Sequence, residues 1–243
     1  MYSFKPQEQA GLITGFLRDQ LSGHKAVIGV SGGVDSALVL ALLSRSIPAE
    51  RIVAVHLPET SRQGTDYRDV MELSKATGVH VEIIPISGIA ESFFKNLGVT
   101  DTRAAGNIKS RIRMVMLYYL ANINDGLVVG TTNRTEYITG YYTKYGDGAC
   151  DMEPIMHLLK FQVRDLAKFL GVPESIIVKK PSAGLWENQT DEGEMGMSYE
   201  EMDEAIIRLF DRKEPPSGEN DRKIMDMFSR SQHKRRMPAS LLS

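Results

Sequence analysis

The chain has 243 residues, 29 Lys and Arg against 31 Asp and Glu, a net charge of -2 and a single cysteine, Cys150. That length suits one α/β domain with a substantial core; the balanced charge offers no overall positive field to nucleic acid or an anionic membrane, and one thiol excludes an intramolecular disulfide or a thiolate metal cage within the chain. The N-terminus lacks the basic start and continuous apolar core of a secretion signal, and the longest uninterrupted apolar run, Ala37 to Leu43, falls far short of the about 20 residues that cross a bilayer. The expectation is a cytoplasmic protein with no membrane or nucleic-acid partner.

Leu12, Ile13, Phe16, Leu17 and Leu21 recur at helical spacing until Gly23, predicting a leading helix over 7–21. Four short β-branched runs follow, AVIGV, RIVAVHL, VHVEIIPI and GLVVG, separated by helical stretches near 36–46, 66–77 and 101–122. Strands alternating with helices predict parallel strands joined by right-handed crossovers. Strands apolar throughout predict a sheet covered on both faces, so the fold class is doubly wound α/β. After Gly130 the pattern thins into a polar, Gly-rich segment through Asp151. A helix near 160–170, a loop from Lys179 to Ser198 and helices near 199–213 and 218–231 come next.

The break inside VIGVSGGVDSALVLALL carries the first chemistry. A strand running through a Gly-rich turn into a helix aims backbone N–H groups and the helix dipole at a point beyond the strand's carboxyl end, where an anion binds. Gly32 and Gly33 permit close approach, and Ser31 and Ser36 offer hydroxyls to phosphate oxygens. Asp35 makes sense beside a phosphate when a divalent cation such as Mg²⁺ lies between them. The run is neither a Walker loop nor a dinucleotide fingerprint.

SGGVDS resembles the pyrophosphate loop of the N-type ATP pyrophosphatases, which split ATP between its α and β phosphates to adenylate a substrate. Four further segments are similar to segments of the ammonia-dependent NAD synthetases: GNIKSRIRM (106–114), GTTNRTEYITGYYTKYGDGACDMEPI (130–155), KKPSAGLWENQTDEGEMG (179–196) and HKRRMPAS (233–240). The resemblance spans nearly the whole chain. It implies an adenine nucleotide alpha hydrolase-like fold, a parallel sheet flanked by helices. It also implies one synthetase domain over 1–243 with no fused glutaminase domain, and a homodimer. The implied reaction amidates deamido-NAD with ammonia, using ATP and Mg²⁺.

Residue by residue, the resemblance implies that Gly29, Val30, Ser31, Gly32, Gly33, Val34, Asp35 and Ser36 wrap the ATP phosphates, with Thr131, Lys160 and Ser182 also contacting ATP. Asp35 and Glu136 are implied metal ligands, and Arg111, Lys144, Asp151, His233 and Lys234 the residues that hold deamido-NAD. Because charge accumulates on the α-phosphate and the departing pyrophosphate, Asp35, Lys144 and Lys160 are the candidate catalytic groups.

Taken alone, Glu136 reads as an exposed helix-start carboxylate, Arg111 as a solvent-facing helix residue and HKRR as a solvated basic stretch. Tyr141, Tyr142 and Tyr145 either stack on a base or nicotinate ring or pack the wall. Several relatives carry Arg where His56 stands and some Gln where Arg62 stands, which leaves the adenine-side contacts open, and Asn188 replaces a Gly common in its loop, a change that bears on how the loop folds over the substrate and not on the chemistry. Near-neutral charge and a lone cysteine argue against an RNA-modifying enzyme, and a nucleotide sensor has no need of separated acids and lysines around one phosphate group. On the helix over 101–122, Ile108, Ile112, Val115 and Tyr119 form one stripe, expected either to cover core or to pair with its own copy about a two-fold axis.

Overall fold

The computed structural model describes residues 4–59, 65–181 and 190–241. Helix α1 (Pro6–Gln20) starts on a proline, whose missing N–H would have had no helical partner. Strand β1 (Lys25–Gly29) feeds α2 (Val34–Ser46), and β2 (Ile52–His56) feeds α3 (Thr65–Thr77). Strand β3 (Val81–Ile83) is followed by α4 (Ser87–Leu97) and α5 (Thr102–Asn124), and β4 (Gly126–Val128) by α6 (Arg134–Thr139). Then come α7 (Lys160–Phe169), α8 (Glu174–Ile177), α9 (Asp191–Met195), α10 (Tyr199–Ile206) and α11 (Glu219–Arg230).

All strand pairs are parallel, in the order β3-β2-β1-β4. From β1 the chain steps outward through β2 to β3, then returns along α5 to pair β4 on the other side of β1. The carboxyl ends of β1 and β4 therefore lead away from each other, opening the crevice in which such sheets bind ligands. Helices α1, α2 and α7 pack together on one face and α4 and α5 on the other. Almost every residue from Val34 to Leu43 is buried, because α2 is wedged between the sheet and two helices. A second core joins α6, α10 and α11 around Tyr199, Met202, Ile206 and Ile224, with Phe210 edge-on to Phe228 at 5.0 Å. Among the described residues no helix is long and apolar enough to cross a membrane.

The structure departs from the sequence pattern in local ways. The apolar run at 79–86 gives only the three-residue β3, since Pro85 has no N–H for a ladder and α4 begins two residues on. Helix α4, unexpected, is diluted by Gly88 and held through Ala90 alone as a fully buried residue. Helix α6 lies inside the expected polar segment and α9 inside the expected loop, both too short to display a period. Helix α10 passes into a π turn at Ile207–Asp211. The stripe on α5 splits: Ile112 is buried with Ile108 packed beside it, whereas Val115 and Tyr119 are 60% and 62% exposed and continue into Ile123.

Gly140 ends α6 at φ 72, and a Cβ there would land inside the Ser231 side chain beyond α11. Gly171 has a similar φ of +75 but open space around it. Gly140→Ala is therefore expected to lower stability in urea unfolding by about 2 kcal/mol or more, and Gly171→Ala by only the left-handed strain, about 1 kcal/mol.

Candidate active site

The crevice between the ends of β1 and β4 is a cleft of about 1030 Å³. Its floor is the Gly-rich turn. Gly32 has φ +89, and a Cβ there would press on the backbone of Asp66 at 3.3 Å. Ser31 N–H donates to Ser36 Oγ at 3.1 Å, Ser36 Oγ to the Gly33 carbonyl at 3.1 Å, and Gly33 N–H to Ser31 Oγ at 3.2 Å, so the turn is braced by its own hydroxyls. Gly33 is the N-cap of α2 and has no side chain to cap it, which leaves the first-turn N–H groups to face an anion.

Three charged side chains from three helices meet above this turn. Lys160 opens α7, where its N–H donates to Thr135 Oγ1 at 3.1 Å. Its ammonium donates to Asp35 Oδ2 at 2.6 Å and to Glu136 Oε1 at 3.4 Å, and sits 4.7 Å above the Tyr199 ring. Asn133 ties the group together: its Nδ2 donates to Asp35 Oδ1 at 2.8 Å, while its Oδ1 accepts from Glu136 N–H at 3.0 Å. Glu136 Oε2 returns to Asn133 N–H at 3.2 Å, a capping box that also fixes the carboxylate. Burial works to lower the pKa of Lys160, but Asp35 and Glu136 override it and hold the side chain as an ammonium. Burial, and then the Asp35 carboxylate, push the Glu136 carboxyl well above its ordinary range.

Two carboxylates thus share one cation. That surplus of hard oxygen donors, placed beside a turn whose N–H groups can receive an anion, fits a divalent ion of the Mg²⁺ type, which uses one or two carboxylates plus substrate phosphates. Among the described residues no cluster of three or more His, Cys, Asp or Glu side chains could hold a metal alone.

Gly29 to Ser36, Thr131, Glu136, Lys160 and Lys234 line the cleft. Lys234 Nζ donates to the carbonyls of Gly140 and Tyr142 at 2.7 and 2.6 Å. Ser182, Arg62 and Asn188 lie outside the described residues. Four expected substrate residues stand outside the cleft lining. The Lys144 ammonium lies 5.0 Å above the Tyr145 ring, away from the Lys160 cluster, and its carbonyl accepts from Arg111 Nη2 at 3.2 Å. Asp151 Oδ2 accepts from Val128 N–H at 2.7 Å, close to Tyr118 of α5, and His233 is exposed in a short turn after α11. Of the three tyrosines, Tyr141 and Tyr142 line the cleft and Tyr145 does not. His56 also lines it. Its Nδ1, 2.7 Å from the Val30 carbonyl, must carry the proton of that bond, and burial lowers its pKa, which favours the neutral imidazole.

The sequence reading missed Asn133, Tyr199, Asp203, which accepts from Phe161 N–H at 3.0 Å, and Arg113. Only Asn133 had a local signal, the N-x-x-E spacing of a capping box.

A family model described as NAD synthase matches residues 10–238. The chain is 54% identical over 229 residues to the NH(3)-dependent NAD(+) synthetase of Thermoplasma acidophilum, covering 94% of this chain and 95% of that one. It is 52% identical over 231 residues to the enzyme of the same name from Picrophilus torridus, covering 95% and 93%. Among solved structures, the NMN synthetase of Francisella tularensis aligns with a TM-score of 0.89 at 35% identity over 99% of this chain and all of that one. The NH3-dependent NAD synthetase of Campylobacter jejuni aligns at 0.85 and 28% identity, over 98% and 99%.

Behind the Gly130–Thr132 turn, Glu153 Oε2 accepts from Thr132 N–H at 3.0 Å, and a Cβ on Gly130 would collide with Glu153 and with the Cys150 thiol. Burial pushes the Glu153 carboxyl up to about 7, against the pull of Thr132, and raises the Cys150 thiol as well, which leaves that thiol inert. A carboxyl whose folded pKa exceeds its unfolded value binds more protons in the native state, so stability falls as pH rises from about 4.5 through about 7. Glu153→Gln is expected to exceed wild type in stability at pH 8, by at most about 3 kcal/mol, with the gap closing below pH 4.5 in urea titrations.

Proposed function

The chain belongs to the NAD synthase family, and from that premise we propose how its cleft works: the turn after β1 seats ATP, and the Lys160 cluster stabilises transfer of AMP to the substrate carboxylate. The protein is a ligase of NAD biosynthesis that amidates deamido-NAD with ATP and ammonia, giving NAD, AMP and pyrophosphate. A carboxylate does not react with ammonia as it stands. Attack of one carboxylate oxygen on the α-phosphate breaks the bond to the β,γ unit, which leaves as pyrophosphate. Ammonia then attacks the carbonyl carbon of the mixed anhydride, AMP departs with the bonding pair, and the nitrogen releases one proton to leave the neutral amide.

The single observation that carries this reading is the meeting of Asp35, Glu136 and Lys160 above a self-braced glycine turn. The open N–H groups at the start of α2 and the hydroxyls of Ser31 and Ser36 receive phosphate oxygens. Lys160 is a fixed ammonium where negative charge grows, so it needs no reorganisation as the pyrophosphate leaves. Asp35 and Glu136 would hold Mg²⁺, which when bound neutralises charge on the phosphates. Thr131 and Ser182 are assigned to ATP.

Arg111, Lys144 and Asp151 gather along α5, outside the cleft of one chain, and we assign them with His233 and Lys234 to deamido-NAD. Their place beside the exposed Val115–Tyr119–Ile123 stripe supports a homodimer in which α5 pairs with its own copy and the dinucleotide lies near the boundary.

Incubation with ATP, Mg²⁺, ammonium and deamido-NAD is expected to yield NAD, AMP and pyrophosphate in equal amounts. The deamidated mononucleotide is the competing substrate in the same assay, in view of the name of the Francisella relative, and a higher kcat/KM for it would replace the dinucleotide in this reading. Asp35→Asn is expected to cut kcat by ~10²-fold or more with the far-UV spectrum unchanged, because the lost carboxylate acts where charge develops. Replacing Val115 and Tyr119 with Asp is expected to convert a dimer to monomers in light scattering and to raise KM for deamido-NAD more than for ATP.

A further inference from the structure

Every buried or half-buried lysine of the cleft just described has its charge answered: Lys160 by Asp35 and Glu136, Lys179 by Asp66 at 2.5 Å and Asp69 at 2.6 Å, Lys223 by the Gly196 carbonyl at 2.9 Å, and Lys234 by two carbonyls. Arg113 differs. It lies on the face of α5 that lines the cleft, with Arg103, Asn107, Ser110, Met114 and Leu117. Its Nε donates to the Leu57 carbonyl, just past the end of β2, at 2.9 Å, which pins the guanidinium plane. Its terminal nitrogens make no hydrogen bond with the described residues.

The carboxylates nearest in charge, Glu59 and Asp147, are committed elsewhere. Glu59 Oε2 accepts from Lys109 Nζ at 2.6 Å, and Asp147 Oδ1 accepts from Ser110 Oγ at 2.6 Å and Thr143 N–H at 3.0 Å. Among the described residues no carboxylate stands at ion-pairing distance from Arg113. Burial weakens its hold on the proton, yet a guanidinium stays charged at any working pH. A cation withdrawn from water without a counter-ion is unfavourable, and its forked donors match a phosphate bidentately.

We propose that Arg113 is a nucleotide-binding residue whose terminal nitrogens receive a phosphate of a bound nucleotide, drawn either from ATP or from the dinucleotide substrate. It rests on the reading of this cleft as a nucleotide site. The Leu57 carbonyl sets the orientation, so the guanidinium is presented at the end of β2 before any ligand arrives. Its charge complements the phosphates from the α5 side, opposite the N-terminus of α2.

The test compares wild type with Arg113→Met and Arg113→Lys. Three quantities are read: the thermal midpoint of the ligand-free protein, the Kd of ATP and of deamido-NAD by calorimetry, and KM and kcat. Loss of a charge-assisted bidentate contact is expected to raise the Kd and KM of one nucleotide by about tenfold or more in Arg113→Met. The Lys variant, keeping a point charge, should fall between. kcat should stay within about threefold, since the contact is made in ground and transition states alike. The midpoint without ligand should hold or rise, because an unanswered buried charge has gone. A rise confined to ATP assigns the phosphate to ATP, and one confined to deamido-NAD assigns it to the dinucleotide. Unchanged affinities for both would overturn the proposal. So would a lowered midpoint with the Lys variant no better than Met, which marks a structural role through Leu57. Absence of NAD formation by wild type would overturn the catalytic reading instead, and is seen before any variant is made.

Discussion

One ammonium answers to two carboxylates at the centre of this molecule, and the placement of three helices follows from it. Asp35 comes from the first turn of α2, Glu136 from α6 and Lys160 from the first turn of α7, positions far apart in the chain. Each is largely buried, and none is tolerable there alone. The Lys160 side chain, 2% exposed, neutralises Asp35 most directly, and Asn133 donates to both acids, to Asp35 from its side-chain Nδ2 and to Glu136 from its backbone N–H. The shortfall of positive charge at Glu136 is then a property of the protein as it stands, and burial and the Asp35 carboxylate push its carboxyl above the ordinary range. The second core extends the same logic outward: Tyr199 of α10 supplies the ring under the ammonium, and Asp203 of α10 accepts from the N–H groups and hydroxyl that set the start of α7.

The parallel sheet and its flanking helices were legible because alternation of short apolar runs with helical periods is a property of sequence alone. Helices α1, α2, α3, α5, α7, α10 and α11 could be placed for that reason. Helices α6 and α9 could not, since a single turn or two shows no period, and α4 was hidden behind an apolar run that reads as strand through Pro85. The site divides in the same way. Asp35 and Glu136 sit in motifs whose spacing is local to one turn, and Lys160 is reached through the family resemblance. Arg113 and Tyr199 matter through what lies across the cleft, and a helical pattern does not say which of its polar faces meets a ligand. Arg111 and Arg113, two residues apart on α5, illustrate this: one is exposed and reaches the Lys144 carbonyl, the other turns inward to Leu57.

Glycine selects where backbone crowding is greatest. Gly130, Gly140, Gly146 and Gly148 all border the turn-rich segment between α6 and Met152, and a Cβ on any of them would strike a neighbouring side chain. The stretch that reads in sequence as polar and Gly-rich is a closely fitted wall of the cleft. Its polar side chains are braced internally, as Ser110 and Asp147 show by exchanging bonds between α5 and the segment.

The wall at 140–142 also has a bearing on synthesis. Its carbonyls are clasped by Lys234, which lies 94 positions downstream of Gly140, and Arg235 grips the carbonyl of Tyr137 at 2.9 Å and that of Phe228. At the ~5–20 residues per second of translation, the nascent wall waits several seconds for the groups that close over it. During that interval the wall at 140–142 lacks its clasp. A chain that stops short of residue 234 therefore lacks the ammonium that clasps the wall, so this side of the crevice is completed only by a segment made long after it.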